Sequence, residues 1–295
     1  MIKGLLAGIK PLSLMISVVS VSVGTAVAAL HGSVHWPHYF LTLLGSVFLH
    51  AGANVINDYF DYEKEIDRRG ASSSYATEGR VLVERWLKPW QVVLTASILF
   101  ALSVPIGLYL TMVRGIPVFV LGFIGFLTGL FYTARPIGLK YLALGEPAVF
   151  FMWGPLMVSG AYYVQRGEFS AQALWISLPI GMLVALILLA NNIRDLDFDG
   201  VEGVRTIAGF LGRRGAVMLY RLLVALVYGV TILLVVTGHL SAWSLLTLLS
   251  LPVAIKLGRM IRGEVPGDAD ARTGQLDTVF GFLLVLSISL QRIVG

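Results

Sequence analysis

The chain contains no cysteine and few charges: of 295 residues, only 13% are Asp, Glu, Lys or Arg. The first absence removes disulfides, thiolate nucleophiles and cysteine-ligated metals. The second removes a water-soluble globular domain, because 57% hydrophobic residues and a mean hydropathy of +0.81 leave too little polar surface to cover one. A cleavable leader is not evident. The first apolar run, roughly Leu12 to Leu30, is long enough to span a bilayer and lacks a short core with a small-residue cleavage site, so it is expected to remain as a first transmembrane helix. The formal charge of +5 suits a membrane protein with basic loops and implies no nucleic-acid partner.

Long apolar runs are what the sequence has in abundance. Nine of them fall near 9–30, 38–60, 89–111, 115–133, 143–164, 173–193, 215–236, 241–261 and 275–294, with the closest boundaries around Arg114 and Gly238. The expectation is an all-α, nine-helix membrane bundle built as one domain over 1–295. Nine crossings place all of the 22 Lys and Arg on one side except Arg114, Arg166 and Arg292. By the positive-inside rule the N-terminus is cytoplasmic and the C-terminus outside. All 17 acids except Glu168 fall on the same cytoplasmic side. Short outer loops account for much of that asymmetry, but not for how the acids are arranged within helices.

At about 100° per residue, Asn54, Asp58 and Asp61 at the end of the second run project within roughly 60°, with Asn57 at the flank and His50 deeper on nearly the same face. The sixth run ends LLANNIRDLDFDG, where Asn191, Asn192, Asp195 and Asp199 project within about 100° and Asp197 points away. A single Asp or Asn at a helix end ordinarily caps it or is solvated. Two matched ladders four runs apart are different, and they suggest a duplicated four-helix unit, about 1–133 and 143–261. Carboxylates this close repel unless a cation joins them, and oxygen ligands without His or Cys select Mg²⁺ or a similar hard ion. Since Mg²⁺ typically bridges carboxylates to phosphates, the expected substrate carries a diphosphate.

NDYFDYEKEID and NNIRDLDFDGVEGVRTIA resemble the two aspartate-rich motifs of the UbiA superfamily of intramembrane prenyltransferases. The likeness extends through YTARPIGLKYLALGEPAVFFMWGPLMVSGAYYVQ and so over most of the chain. The five-residue gap between Asp61 and Asp67, the LGE…GP…YYVQ run and Arg205-Thr206 are similar to the menaquinone-pathway branch, the 1,4-dihydroxy-2-naphthoate polyprenyltransferases. One departure is RRGASSSYATEGRVLVERWLKP after Asp67, where bacterial members tend to be glycine-rich.

The resemblance implies Mg²⁺-dependent transfer of a polyprenyl group from an allylic diphosphate to an aromatic acceptor at a site facing the cytoplasm. Asp58, Asp61, Asp195 and Asp199 would hold two Mg²⁺ ions on the diphosphate, flanked by Asn54, Asn57, Asn191 and Asn192. Asp67 joins that site only if its helix ends near Tyr62 or Glu63. Lys64, Arg135, Lys140, Arg194 and Arg205 are candidate phosphate contacts, and Tyr132 a hydrogen-bond donor or a ring face for a cation. His50 is either a group that orients or deprotonates a phenolic acceptor or a buried, satisfied histidine. Gly122, Gly125 and Gly129 are expected at a close helix contact, and Phe150, Phe151 and Trp153 either line the prenyl tunnel or face lipid. The histidines of HGSVHWPH read as an outer interfacial loop. Other acceptors (4-hydroxybenzoate, homogentisate, haem or a glycerol-phosphate lipid) stay open, as does cation-coupled transport, although transport sites usually lie near the bilayer midplane.

Overall fold

The computed structural model describes residues 2–63, 81–201, 204–262 and 265–294, and those residues contain helices and no named strand. A short α1 (Ile2–Ile9) precedes α2 (Pro11–Ala29), α3 (Trp36–Glu63), α4 (Pro89–Arg114) and α5 (Ile116–Phe131). After a single 3₁₀ turn at Leu139–Tyr141 come α6 (Gly145–Phe151), a π turn at Met152–Leu156, and α7 (Met157–Arg166). The chain continues through α8 (Ala171–Arg194), α9 (Leu196–Val201), α10 (Ile207–Val236), a 3₁₀ stretch at Ala242–Ser250, α11 (Leu251–Met260) and α12 (Ala269–Val294).

Local chemistry explains the joints. Pro11 and Pro89 open α2 and α4, where the missing N–H costs nothing. Ser170 and Thr206 cap α8 and α10 by accepting from the Ala173 and Gly209 N–H groups at 3.3 and 3.0 Å. The tight α4–α5 connection turns on Gly115 at φ 93°, a backbone open to glycine.

Seven segments are long and apolar enough to cross a membrane: α2, α3, α4, α8, α10, the 3₁₀ stretch with α11, and α12. The other two apolar runs take less regular forms. The fourth becomes the shorter α5, and the fifth is broken at its π turn, where Pro155 lacks the N–H that a regular helix needs. The outer surface is apolar, with Met112 83%, Leu249 68% and Phe282 66% exposed, which suits lipid and not water.

The two halves pack differently. Around α8 the core is solid: Ile176, Ile180 and Leu186 interlock with Val23 and Val27 of α2, Tyr220 of α10 and Phe280 of α12. Around α3 the described residues form two smaller apolar clusters, one at each end. Val55, Leu87, Val92 and Ala96 pack at the aspartate end, and Leu110, Val118, Tyr163 and Val164 at the other. The space between them is open.

The α2–α7 crossing depends on Gly24, where a Cβ would lie 2.2 Å from the Val158 carbonyl oxygen and 2.8 Å from Ala161 Cβ. Gly24→Ala is therefore expected to cost about 1–3 kcal/mol by overpacking. Gly229→Ala in α10, where nothing lies within 4 Å, should leave stability unchanged or slightly raised. Thermal unfolding of the two variants in detergent checks the contrast.

Candidate active site

The first ladder lies where α1 crosses the end of α3. Pro11 disfavours a right-handed helical backbone at the preceding residue, and Lys10 adopts the left-handed region, φ 55° and ψ 67°, breaking α1 from α2. Its side chain then reaches Asp58: Nζ lies 2.8 Å from Oδ1 of a carboxylate that is only 3% exposed. One turn deeper, the Asn54 amide donates to the Ile9 carbonyl (3.0 Å) and to Ser13 Oγ (2.9 Å). Asn57 Oδ1 accepts from Thr133 Oγ1 at 2.7 Å. Asp61 is gripped by the 3₁₀ turn: Lys140 Nζ stands 2.8 Å from Oδ2, and the Tyr141 hydroxyl donates to Oδ1.

The second ladder ends α8. Arg194 clamps Asp195 with two donors, Nε at 2.8 Å and Nη2 at 2.6 Å, holds Asn191 Oδ1 at 2.6 Å, and meets Asp270 of α12 at 3.0 Å. Asn192 turns inward and donates to Glu146 at 2.9 Å. Asp199 folds back through its backbone, its N–H donating to the Asp195 carbonyl at 2.8 Å. Burial, with Asp195 and Asp61 adding repulsion, pushes the Asp199 carboxyl up to about 6 against the pull of Lys140 and Arg194. Lys140 and Asp61 of the first ladder thus act on the second. The segment carrying Lys140 is held between them, since Ala143 N–H donates to the Arg205 carbonyl at 2.9 Å and Leu142 pairs with Arg205 as an isolated bridge.

Beneath the ladders lies a cavity of about 320 Å³ between α3, α4, α5 and the α6–α7 segment. Asn54, Asn57 and Tyr132 stand at its polar end, His50 one turn deeper, and Leu41, Leu110, Val118 and Val164 at the far end. From Leu41 to Asn57 it follows α3 for about 24 Å at 1.5 Å per residue. Gly122 and Gly125 line it with open space or a Met152 methyl before them, so they hollow the cavity, and Gly129 alone makes the expected close approach, to Ala53. Trp153 lines the cavity, Phe151 faces outward at 60% exposure, and Phe150 packs on Gly181.

Of the residues expected at the site, Lys64 and Asp67 lie outside the described residues. Arg135 and Arg205 are exposed, and Asp197 faces away, 91% exposed and 3.3 Å from Arg213. His38 of the outer loop stacks on His35 and contacts Arg114 at 3.2 Å. Lys10, Thr133, Tyr141, Glu146 and Asp270 were not legible as partners. Only Glu146 carries a signal of its own, as an acid within an apolar run, which is expensive unless paired.

The donor set suits a hard cation. Every side-chain ligand at the two ladders is oxygen, and Asp58 Oδ2 is buried without a hydrogen-bond partner. Among the described residues no three acids or histidines stand close enough to form a closed cage. That combination fits a hydrated Mg²⁺ reached by one or two carboxylates and completed by an anionic ligand.

An all-helical bundle with paired aspartate ladders over an apolar cavity has the layout of an intramembrane prenyl-transfer enzyme. The chain belongs to the UbiA prenyltransferase family, whose model matches residues 17–282, and it is accordingly a multi-pass membrane protein and a prenyltransferase. It is 28% identical over 286 residues to the 1,4-dihydroxy-2-naphthoate octaprenyltransferase of Bacillus subtilis (strain 168), covering 96% of this chain and 91% of that one. It is 31% identical over 285 residues to UbiA prenyltransferase domain-containing protein 1 of Rattus norvegicus, covering 96% and 82%. Among solved structures, a UbiA homolog from Aeropyrum pernix K1 superposes with a TM-score of 0.70 at 18% identity, covering 93% and 97%. A UbiA homolog from Archaeoglobus fulgidus bound to GPP and Mg²⁺ superposes at 0.67 with 16% identity, covering 97% and 99%.

Arg194 is 4% exposed and shared between Asp195 and the buried Asp270. Arg194→Met would take the shared guanidinium from both Asp195 and the buried Asp270 and is expected to cost about 3–5 kcal/mol. Arg213→Met breaks only the exposed pair with Asp197 and should cost less than about 1 kcal/mol. Thermal unfolding of the two variants measures the difference.

Proposed function

We propose that the protein transfers a polyprenyl group from an allylic diphosphate to 1,4-dihydroxy-2-naphthoate, in a Mg²⁺-dependent reaction of menaquinone biosynthesis. The observation that carries this reading is the segment of Lys140, which pairs with Asp61 and is bonded through Ala143 to Arg205 just beyond the second ladder, so that both ladders share one polar edge above an apolar cavity. Such an edge and cavity match an amphiphile with a diphosphate head and an isoprenoid tail. The likeness to the Bacillus subtilis octaprenyltransferase over 96% of this chain supports the choice of acceptor.

Asp58 and Asp61 would hold one Mg²⁺, and Asp195 and Asp199 another. When bound, the ions offset the negative charge that develops on the leaving diphosphate. Lys140 and Arg194 supply fixed positive charge beside them, with Arg135, Arg205 and Lys64 as further phosphate contacts and Asp67 as a further acid. Asn54 and Asn57, held by Ser13 and Thr133, mark where head gives way to tail. The C–O bond of the prenyl diphosphate breaks with its electron pair going to the diphosphate; the acceptor ring carbon that bears the carboxylate forms the new C–C bond and then releases the carboxylate as CO₂, the electron pair of that broken bond restoring the aromatic ring. Apolar walls keep water from the allylic cation, and the Tyr132 ring stands at the cavity's polar end to stabilise it.

In the membrane, α5 and the α6–α7 segment add two crossings to the seven, giving nine, with the N-terminus and both ladders on the cytoplasmic side and the C-terminus outside. The ladders then end the second and sixth crossings, in keeping with duplication of a four-helix unit over about 1–133 and 143–261.

Purified protein given Mg²⁺, geranyl diphosphate and a panel of aromatic acceptors, with products read by mass spectrometry, tests the reading. It expects a prenylated naphthoquinol that has lost CO₂ and disappears with EDTA. Product only with another acceptor would overturn the acceptor, and product undiminished by EDTA would overturn the metal. Asp58→Asn and Asp195→Asn are each expected to lower turnover roughly 100-fold or more while eluting as folded protein. Asp197→Asn, on the averted face, should keep wild-type turnover.

A further inference from the structure

His50 lines the cavity and belongs to a short hydrogen-bond chain that joins three elements. Trp153 Nε1 lies 3.2 Å from Ser17 Oγ, and Ser17 Oγ lies 2.8 Å from His50 Nδ1. The direction of that chain follows from the donors available. An indole N–H can only donate, so Ser17 Oγ accepts from Trp153. Ser17 is fully buried and, among the described residues, its hydroxyl makes no other hydrogen bond, which leaves His50 Nδ1 as the acceptor for its hydrogen. Were Nδ1 to carry the proton instead, Ser17 Oγ would face two donors and its own hydrogen would be stranded in an apolar surround. The imidazole is therefore neutral, with its proton on Nε2. Among the described residues that nitrogen makes no hydrogen bond, and it belongs to a ring that lines the cavity, where its N–H is left for a ligand.

The arrangement is fixed from behind. Trp153 sits in the π turn, where Gly154 presses on α8 so closely that a Cβ would meet Gly181 Cα at 2.8 Å and the Ser177 carbonyl at 2.9 Å. Its ring also meets the His50 ring edge-on, with centroids 4.8 Å apart. Along α3, His50 is about 6 Å from Asn54 and about 12 Å from Asp58, one and two turns below the aspartate edge.

We propose that His50 is a hydrogen-bond donor that positions an oxygen of the aromatic acceptor, a hydroxyl, carbonyl or carboxylate, through Nε2–H, and that Ser17 and Trp153 are positioning residues that hold it in this tautomer. This inference rests on the transfer reaction proposed above. It also removes His50 as the base for that reaction, because a base must turn a bare ring nitrogen to the substrate.

The test measures KM for each substrate separately, with geranyl diphosphate and 1,4-dihydroxy-2-naphthoate, alongside ¹⁵N NMR of histidine-labelled protein with the His50 signal assigned by its loss in His50→Gln. His50→Leu is expected to raise the acceptor KM about ten-fold and leave the diphosphate KM unmoved. His50→Gln, whose amide keeps a donor, should recover most of that affinity. Ser17→Ala and Trp153→Phe should raise the acceptor KM by about three-fold, as befits loss of orientation alone. The NMR spectrum of the wild type should show the Nε2–H tautomer. An acceptor KM unchanged in His50→Leu would make His50 a bystander, and a kcat loss of 100-fold or more in His50→Gln with KM unmoved would make it a base. An Nδ1–H tautomer would overturn the chain direction. If His50→Leu does not fold, Ser17→Ala and the tautomer carry the test. Absence of transfer by the wild type with every acceptor would instead overturn the proposed reaction, and the tautomer would still decide the wiring.

Discussion

A carboxylate at the edge of an apolar bundle loses most of its hydration, and a cation held against it offsets that loss. Three such cations organise this molecule. Lys10 meets Asp58, Lys140 meets Asp61, and Arg194 meets both Asp195 and Asp270. Each cation on the first ladder comes from a different part of the chain, so the pairs also fasten α1, the Leu139–Tyr141 turn and α12 around the ends of α3 and α8. The left-handed backbone at Lys10 is explicable in the same terms, since an otherwise unfavourable conformation is offset by the contact it permits.

The uneven packing serves the same end. The α8 side is filled by interlocking Ile, Leu and aromatic side chains and gives the second ladder a rigid base. The α3 side is hollow between two small clusters, with glycines on α5 opening its wall. Below Asn54, Asn57 and Tyr132 the lining is mainly apolar, broken by the hydroxyls of Thr42, Ser46, Ser103 and Thr128 and by the Ser17–His50–Trp153 chain. Charge at the rim and greasy space below divide the site as a prenyl diphosphate is itself divided.

Much of the rim was legible in the sequence, because helical period alone puts Asn54, Asp58 and Asp61 on one face and sends Asp197 to the other. Lys10 was not, since every lysine between apolar runs has a topological reason to exist and nothing local marks the one that folds back. Likewise Tyr141 and Thr133 are ordinary interfacial residues until the chain brings them to Asp61 and Asn57. Asn191 and Asn192 look alike in the sequence, yet one holds Arg194 and the other turns to Glu146. The glycines of α5 misled for a physical reason: small residues serve close packing and open cavities equally well, and only the neighbouring side chains decide. The π turn that aims Trp153 inward depends on how Gly154 and Gly181 meet, a long-range contact with no local signature beyond Pro155.

The central claim is that both ladders and the cavity together form one site for one amphiphile. A structure of the protein with Mn²⁺ in place of Mg²⁺ and an unreactive geranyl thiodiphosphate tests it most directly, with manganese located by anomalous scattering. The account predicts manganese beside Asp58 and Asp61 and beside Asp195 and Asp199, a diphosphate between them near Lys140, and a tail that passes His50 into the cavity. Manganese at only one ladder, or a tail lying outside the cavity against the lipid face, would contradict it.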